Sequence, residues 1–121
     1  MIENGRAKDA FEKVHQLSPE ELEHYVSYIR KMPMMIKTNG LAQTLAFYLS
    51  ANKKEYQIVY KHLSSWVMQP DTKKRLGLDK QKANDLMEAT IALESADYRT
   101  LTVEIMAYLE WLKRFSVART R

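Results

Sequence analysis

Apolar residues recur three and four positions apart along most of this chain, a spacing that predicts amphipathic helices rather than strands. Ala7, Ala10, Phe11 and Val14 form one stripe, predicting a first helix over about Glu3–Gln16. Leu22, Tyr25, Val26 and Ile29 form the next. That second helix has a sharp start: Ser18 as N-cap, Pro19 at the first helical position and Glu21 closing a capping box. Pro33 is expected to end it.

A third helix is predicted from near Pro33 to about Ala51. Met34, Leu41, Leu45 and Leu49 lie on one side and Ile36 and Phe47 opposite, the pattern of a helix central to a bundle. Gly40 interrupts it at a cost of about 1 kcal/mol relative to alanine. Either the helix breaks there with Asn39 capping its continuation, or another backbone approaches closely. The fourth helix, about Lys54–Met68, turns Tyr56, Val59, Tyr60, Leu63, Trp66 and Val67 inward, and Pro70 stops it. A basic connector from Asp71 to Gly77 reads as at most one helical turn. The fifth helix is expected from Asp79 to about Glu94. The sixth, capped by Ser95, covers about Ala96–Val117 with Tyr98, Leu101, Ile105, Tyr108, Leu112 and Phe115 inward, and the last four residues are expected to fray. No stretch alternates as a strand does. The expected fold is all-α: a single compact domain, 1–121, of about six helices.

Composition narrows the function classes. The 121 residues include no cysteine, which excludes a disulfide framework, a thiolate metal site and a thiol nucleophile. The apolar runs are far shorter than the ~20 residues of a membrane-spanning helix, and the first residues lack the apolar core of a secretory signal. The expected setting is cytoplasmic, with no membrane partner. Net charge is +4, unevenly spread: residues 1–30 carry four cations and six anions, 31–82 ten and three, 83–121 five and six. A basic middle attracts polyanions, although a lysine-rich face also serves simple solubility.

Catalytic motifs are missing: no nucleophile elbow, phosphate loop or dinucleotide glycine pattern. Two Glu-x-x-His pairs, Glu12/His15 and Glu21/His24, have the spacing used in di-iron bundles. Their wheel positions turn Glu12 and His24 away from the apolar stripes, and Glu21 is committed to capping, so no metal and no cofactor are expected. His62 reads as an isolated surface residue, and the acidic residues as mostly outward. Lys54 and Lys61 are two turns apart on the outer face of the fourth helix, with Gln57 and Ser65 beside them. Lys37 falls on a polar strip shared with Thr44, and Lys31 and Lys53 sit at the ends of that helical region. Long cations with small polar neighbours suit contacts to nucleic-acid phosphates, which position a strand without reading its bases. Ile58, Met106 and Trp111 fall off the core stripes, as protein-interface residues do.

The segment Ile36-Lys37-Thr38-Asn39-Gly40-Leu41-Ala42-Gln43-Thr44-Leu45-Ala46-Phe47, with Ser95-Ala96-Asp97-Tyr98-Arg99 and Ala107-Tyr108-Leu109-Glu110-Trp111-Leu112-Lys113-Arg114-Phe115, closely resembles the small subunit of type III-B CRISPR effector (Cmr) complexes. The likeness covers the whole chain in length and helix order, and residues 70–80 match least. It implies a non-catalytic helical subunit in antiviral defence, with no small-molecule substrate. Such subunits stack with copies of themselves as a minor filament beside the subunits that hold the guide RNA, lining the groove of the guide RNA–target RNA duplex. By motif position it makes Lys37, Thr38 and Asn39 candidates near RNA, and Lys113 and Arg114 after them. Lys37 stands where the family often has arginine, which keeps the charge and loses bidentate geometry. The alternative is a purely structural helical adapter without direct RNA contact, held through Ile58, Met106 and Trp111.

Overall fold

The computed structural model describes residues 2–121. Seven α-helices and no strand occur among these residues: α1 (Ile2–His15), α2 (Pro19–Asn39), α3 (Leu41–Ser50), α4 (Lys54–Val67), α5 (Pro70–Arg75), α6 (Leu86–Ile91) and α7 (Ser95–Arg119). The all-α expectation holds. The capping box is present: the Glu21 amide donates to Ser18 Oγ at 3.1 Å and the Ser18 amide to Glu21 Oε1 at 3.0 Å.

Pro33 does not end α2, contrary to the sequence reading. A proline removes the amide that would bond the carbonyl four residues back. Here Ile29, Met32 and Ile36 are all buried on one face, and that packing carries the helix through. The neighbouring Tyr28 carbonyl takes a hydrogen bond from the Tyr48 hydroxyl at 2.5 Å. The chain breaks at Gly40 instead, with φ 85° and ψ 163°, a conformation essentially reserved for glycine. Asn39 is the last residue of α2 and caps nothing; the free Ala42 amide of α3 donates to the Tyr98 hydroxyl of α7 at 2.8 Å. The long central helix of the sequence reading is therefore two helices. Met34, Phe47 and Leu49 are exposed, and only Leu41, Thr44, Leu45 and Tyr48 of α3 are buried.

Four further expectations change. The fifth helix shrinks to Leu86–Ile91, started by Asp85, whose side chain accepts the Glu88 amide; before it, Leu76 and Leu78 bury themselves from turns, not from a helix. Ser95 is the first residue of α7, not its cap. Ala118 and Arg119 remain helical, and the Arg119 guanidinium donates to the carbonyls of Val14 and, at 3.0 Å, Leu17, so it satisfies the open end of α1. Phe11, expected inward, is exposed and packs edge-on against Phe115.

α1 and α2 both pack on α7, α4 lies against α2 and α3, and α6 covers α3 and α4. Tyr25, Ile29, Met32, Leu45, Leu63, Ile105 and Tyr108 are fully buried between them. One carboxylate joins four elements. Glu104 of α7, 2% exposed, accepts the Arg6 guanidinium of α1 at 2.7 and 2.8 Å, Arg75 of α5 at 2.7 Å and the Trp66 indole N–H of α4 at 2.9 Å. Burial alone would raise this carboxyl; the hydrogen bonds from Arg6, Arg75 and Trp66 outweigh it and hold the pKa down at about 2. The expectation that acidic residues face outward fails here and at the buried Glu55. Beside this cluster, Asp9 accepts from Tyr108, Lys13 and, at 2.5 Å, Gln69.

Two outcomes are expected. Gly40→Ala should lower unfolding free energy by about 1–3 kcal/mol in a urea titration; space is not the obstacle, since a Cβ would meet only the Tyr98 hydroxyl at 3.5 Å. Glu104→Gln should lose on the order of 3 kcal/mol at neutral pH, because a buried carboxylate that pairs two partly buried guanidiniums is removed. The folded pKa lies below the ordinary value of 4.5, so the contribution is complete above that value and disappears as pH falls toward 2. Parent and variant stabilities, measured by denaturation against pH, should converge over that acid range.

Candidate nucleic-acid interface

The cations named from sequence reach the surface at three separate places. Lys37, Thr38 and Asn39 are exposed on the last turn of α2, next to the Gly40 joint and the start of α7. Thr44 does not share their strip. It is buried on α3 and donates to the Gly40 carbonyl at 2.8 Å, because the break at Gly40 rotates the two helices apart.

The second place is α4. Lys53, Lys54 and Lys61 are exposed there, and the two-turn spacing does put Lys54 and Lys61 on the outer side. Lys54 is loosely paired with Glu21 at 3.5 Å, with 68% of its side chain in solvent, a pair worth little. Glu21 marks the start of α2, about 24 Å along the helix from Lys37 at ~1.5 Å per residue. The two lysine sets therefore do not form one compact patch.

Lys31 is held by aromatic rings. Its ammonium lies 4.6 Å from the Tyr56 ring centroid, 5.3 Å from Tyr28 and 5.6 Å from Phe47, and it donates to the Tyr56 hydroxyl. Tyr28 and Tyr56 are stacked at 3.6 Å. Such cation–π contacts stabilise by about 0.5–2 kcal/mol, so reaching out to a phosphate would cost Lys31 part of that. The sequence offered no sign of this cluster because its members come from three helices.

The third place is the C-terminal half of α7. Lys113 and Arg114 share the Glu110 carboxylate at 3.1 and 3.2 Å. Opposite them stands Arg30 of α2, lining the same surface cleft as Arg121. Sequence reasoning missed Arg30. Its place one residue past Ile29, off the buried stripe, was visible, but the antiparallel pairing of α2 with α7 was not.

Two other placements differ from the sequence reading. Ile58, Met106 and Trp111 are partly buried and packed against the core; Trp111 also stacks on Phe115 and donates to Glu3. The large apolar side chains in solvent are Ile2, Phe11, Met34, Phe47, Leu49, Ile91 and Val103. His62 is half-buried, and its Nδ1 shares a hydrogen bond with the Tyr25 hydroxyl at 2.7 Å. Burial pushes its pKa down to about 4, with Lys13 adding to the effect, so the ring is neutral near pH 7. Of the Glu-x-x-His pairs, Glu21 is in the capping box and His15 stacks on Phe11. Among the described residues no three His, Asp or Glu converge as metal ligands do, and no helix is long and apolar enough to cross a membrane.

Fold and surface together define a class: a small all-helical protein whose exposed cations are set on the ends and outer faces of packed helices. Comparison with known proteins makes the class specific. The model of the family described as CRISPR-associated protein (Cas_Cmr5) matches residues 2–119, and the chain belongs to that family, the small subunits of type III-B Cmr systems. The CRISPR system Cmr subunit Cmr5 of Thermus thermophilus is 30% identical over 113 residues, spanning 93% of this chain and 90% of that protein. The crystal structure of a CRISPR-associated Cmr5 family protein from Thermus thermophilus superposes with a TM-score of 0.77 at 28% identity, covering 98% of this chain and 96% of that one.

Proposed function

We propose that this chain is a non-catalytic small subunit of a cytoplasmic type III-B CRISPR effector complex acting in antiviral defence. It stacks with copies of itself beside the subunits that hold the guide RNA and contacts target RNA through exposed cations. The observation that carries the reading is the match to the Cas_Cmr5 family over residues 2–119, joined to the exposure of Lys37, Thr38, Asn39, Lys53 and Lys61. Side chains of this kind neutralise phosphates and leave sequence reading to base pairing between guide and target. Lys31 and Lys54 stand behind these, since each already has a partner.

The adapter reading keeps one support, the exposed apolar side chains Met34, Phe47 and Leu49 around α3. Ile58, Met106 and Trp111, partly buried against the core, offer a partner less surface than these.

In a reconstituted complex, Lys37→Glu with Lys61→Glu should weaken target RNA binding and flatten its dependence on salt, by about 0.7–0.9 in the log–log slope for each phosphate left without its cation. Gel shifts across a KCl series measure both. An unchanged affinity and slope, with assembly abolished instead by Met34→Ser and Phe47→Ser, would establish the adapter.

A further inference from the structure

We propose that the seam between α2 and the last turns of α7 is a second RNA-contacting surface, a groove for the phosphodiester backbone centred on Arg30. It rests on the RNA reading above and goes beyond it in assigning a seat centred on Arg30, about two turns before Lys37 along α2.

A cleft of about 470 Å³ is lined by Arg30, Lys113, Arg114, Val117, Ala118 and Arg121. Four of these six have cationic side chains and none has a carboxylate side chain. Arg30 is exposed and makes no ion pair or side-chain hydrogen bond among the described residues. Lys113 and Arg114 divide a single carboxylate, Glu110, between them, so positive charge remains in excess. A second cleft of about 560 Å³ shares Arg30 and continues to Arg119 and Thr120. Its one carboxylate, Glu23, is exposed. The Arg119 guanidinium is committed to the carbonyls ending α1 and adds charge more than free donors.

The ordinary explanation for cations near a helix C-terminus is complementation of the helix dipole. It fits Arg119, in the last turn of α7, and Arg121 just beyond it. It does not fit Arg30, which lies well inside α2, more than two turns before Asn39. Two arginines facing each other across a shallow groove suit the bidentate geometry of phosphate oxygens. Val117 and Ala118 add apolar lining; no aromatic ring lines that cleft, so it has no platform for base stacking. Contact there is with the backbone and independent of sequence.

The test uses the full chain and a short fluorescent oligouridylate, with anisotropy read across a KCl series. Three double variants remove equal charge: Arg30→Gln/Arg114→Gln in the groove, Lys37→Gln/Lys61→Gln on the lysine surfaces, and Lys80→Gln/Lys82→Gln in the segment before α6. The groove pair should flatten the log–log salt slope by about 1.4, at ~0.7 per single-strand phosphate, while the Lys80/Lys82 pair leaves it nearly unchanged. Arg30→Lys in the parent should keep the slope and lose part of the affinity. A slope unchanged in the groove pair but flattened in the Lys37/Lys61 pair would overturn the groove and leave the RNA reading standing. An equal flattening in the groove and Lys80/Lys82 pairs would also overturn it, reducing the effect to net charge. No change in any variant, or no binding by the parent chain, would overturn both.

Discussion

A single buried carboxylate organises this bundle. Glu104 takes hydrogen bonds from Arg6, Arg75 and Trp66, and so ties α1, α5 and α4 to α7 at one point. Replacing such a cluster outright by apolar groups can be energetically neutral, whereas removing one member leaves charges stranded. What it supplies is position. The Arg6 fork meets both carboxylate oxygens, which fixes α1 along α7. Arg75 is the last residue of α5, a six-residue helix too short to hold a place through its own hydrogen bonds.

That internal pairing also decides where the surface charge lies. The basic middle of the chain holds ten cations against three anions, but three of the ten already have partners. Arg75 bonds Glu104, Lys31 sits among three rings and Lys54 leans on Glu21. The field that a polyanion meets is therefore narrower than the sequence count suggests. It gains instead from Arg30, which lies outside the basic middle and has no partner among the described residues.

Much of the fold could be read from the chain because helical spacing and capping are local signals. The capping box at Ser18, the Tyr56–Tyr60–Leu63–Trp66 stripe and the inward face of α7 are all as the pattern predicts. The errors share a cause. Pro33 and Gly40 are both breakers, and local rules weigh the proline more heavily; burial of Ile29, Met32 and Ile36 overrode it, while Gly40 took the break. Glu104 was discoverable, since it lies three residues after Leu101 and four before Tyr108, in line with the inward stripe. Its two guanidinium partners, 98 and 29 positions away, left no local trace. The candidate interface was legible residue by residue and not as a surface, because which lysines are free depends on helices that meet only in three dimensions.

The distance between the cationic sites follows from the same constraints. α2 and α7 run antiparallel: Ala42, just beyond α2 at the start of α3, meets Tyr98 at one end, Arg30 faces Lys113 and Arg114 further along, and Leu22 lies near Arg119 at the other. Both helices are long, 21 and 25 residues, and the buried stripe of each is continuous, so the pair holds Arg30 and the Lys37–Asn39 turn, about 10 Å apart along α2 at ~1.5 Å per residue, in a fixed relation. Its two ends are pinned by different chemistry. The Gly40 joint and the Tyr98 hydroxyl set one, and Arg119, through the carbonyls that end α1, sets the other. A subunit that must present charge to a strand held by other proteins gains from such stiffness. Under the proposed RNA reading, a cation on such a frame would meet a phosphate without first paying the conformational entropy of ordering the surface around it.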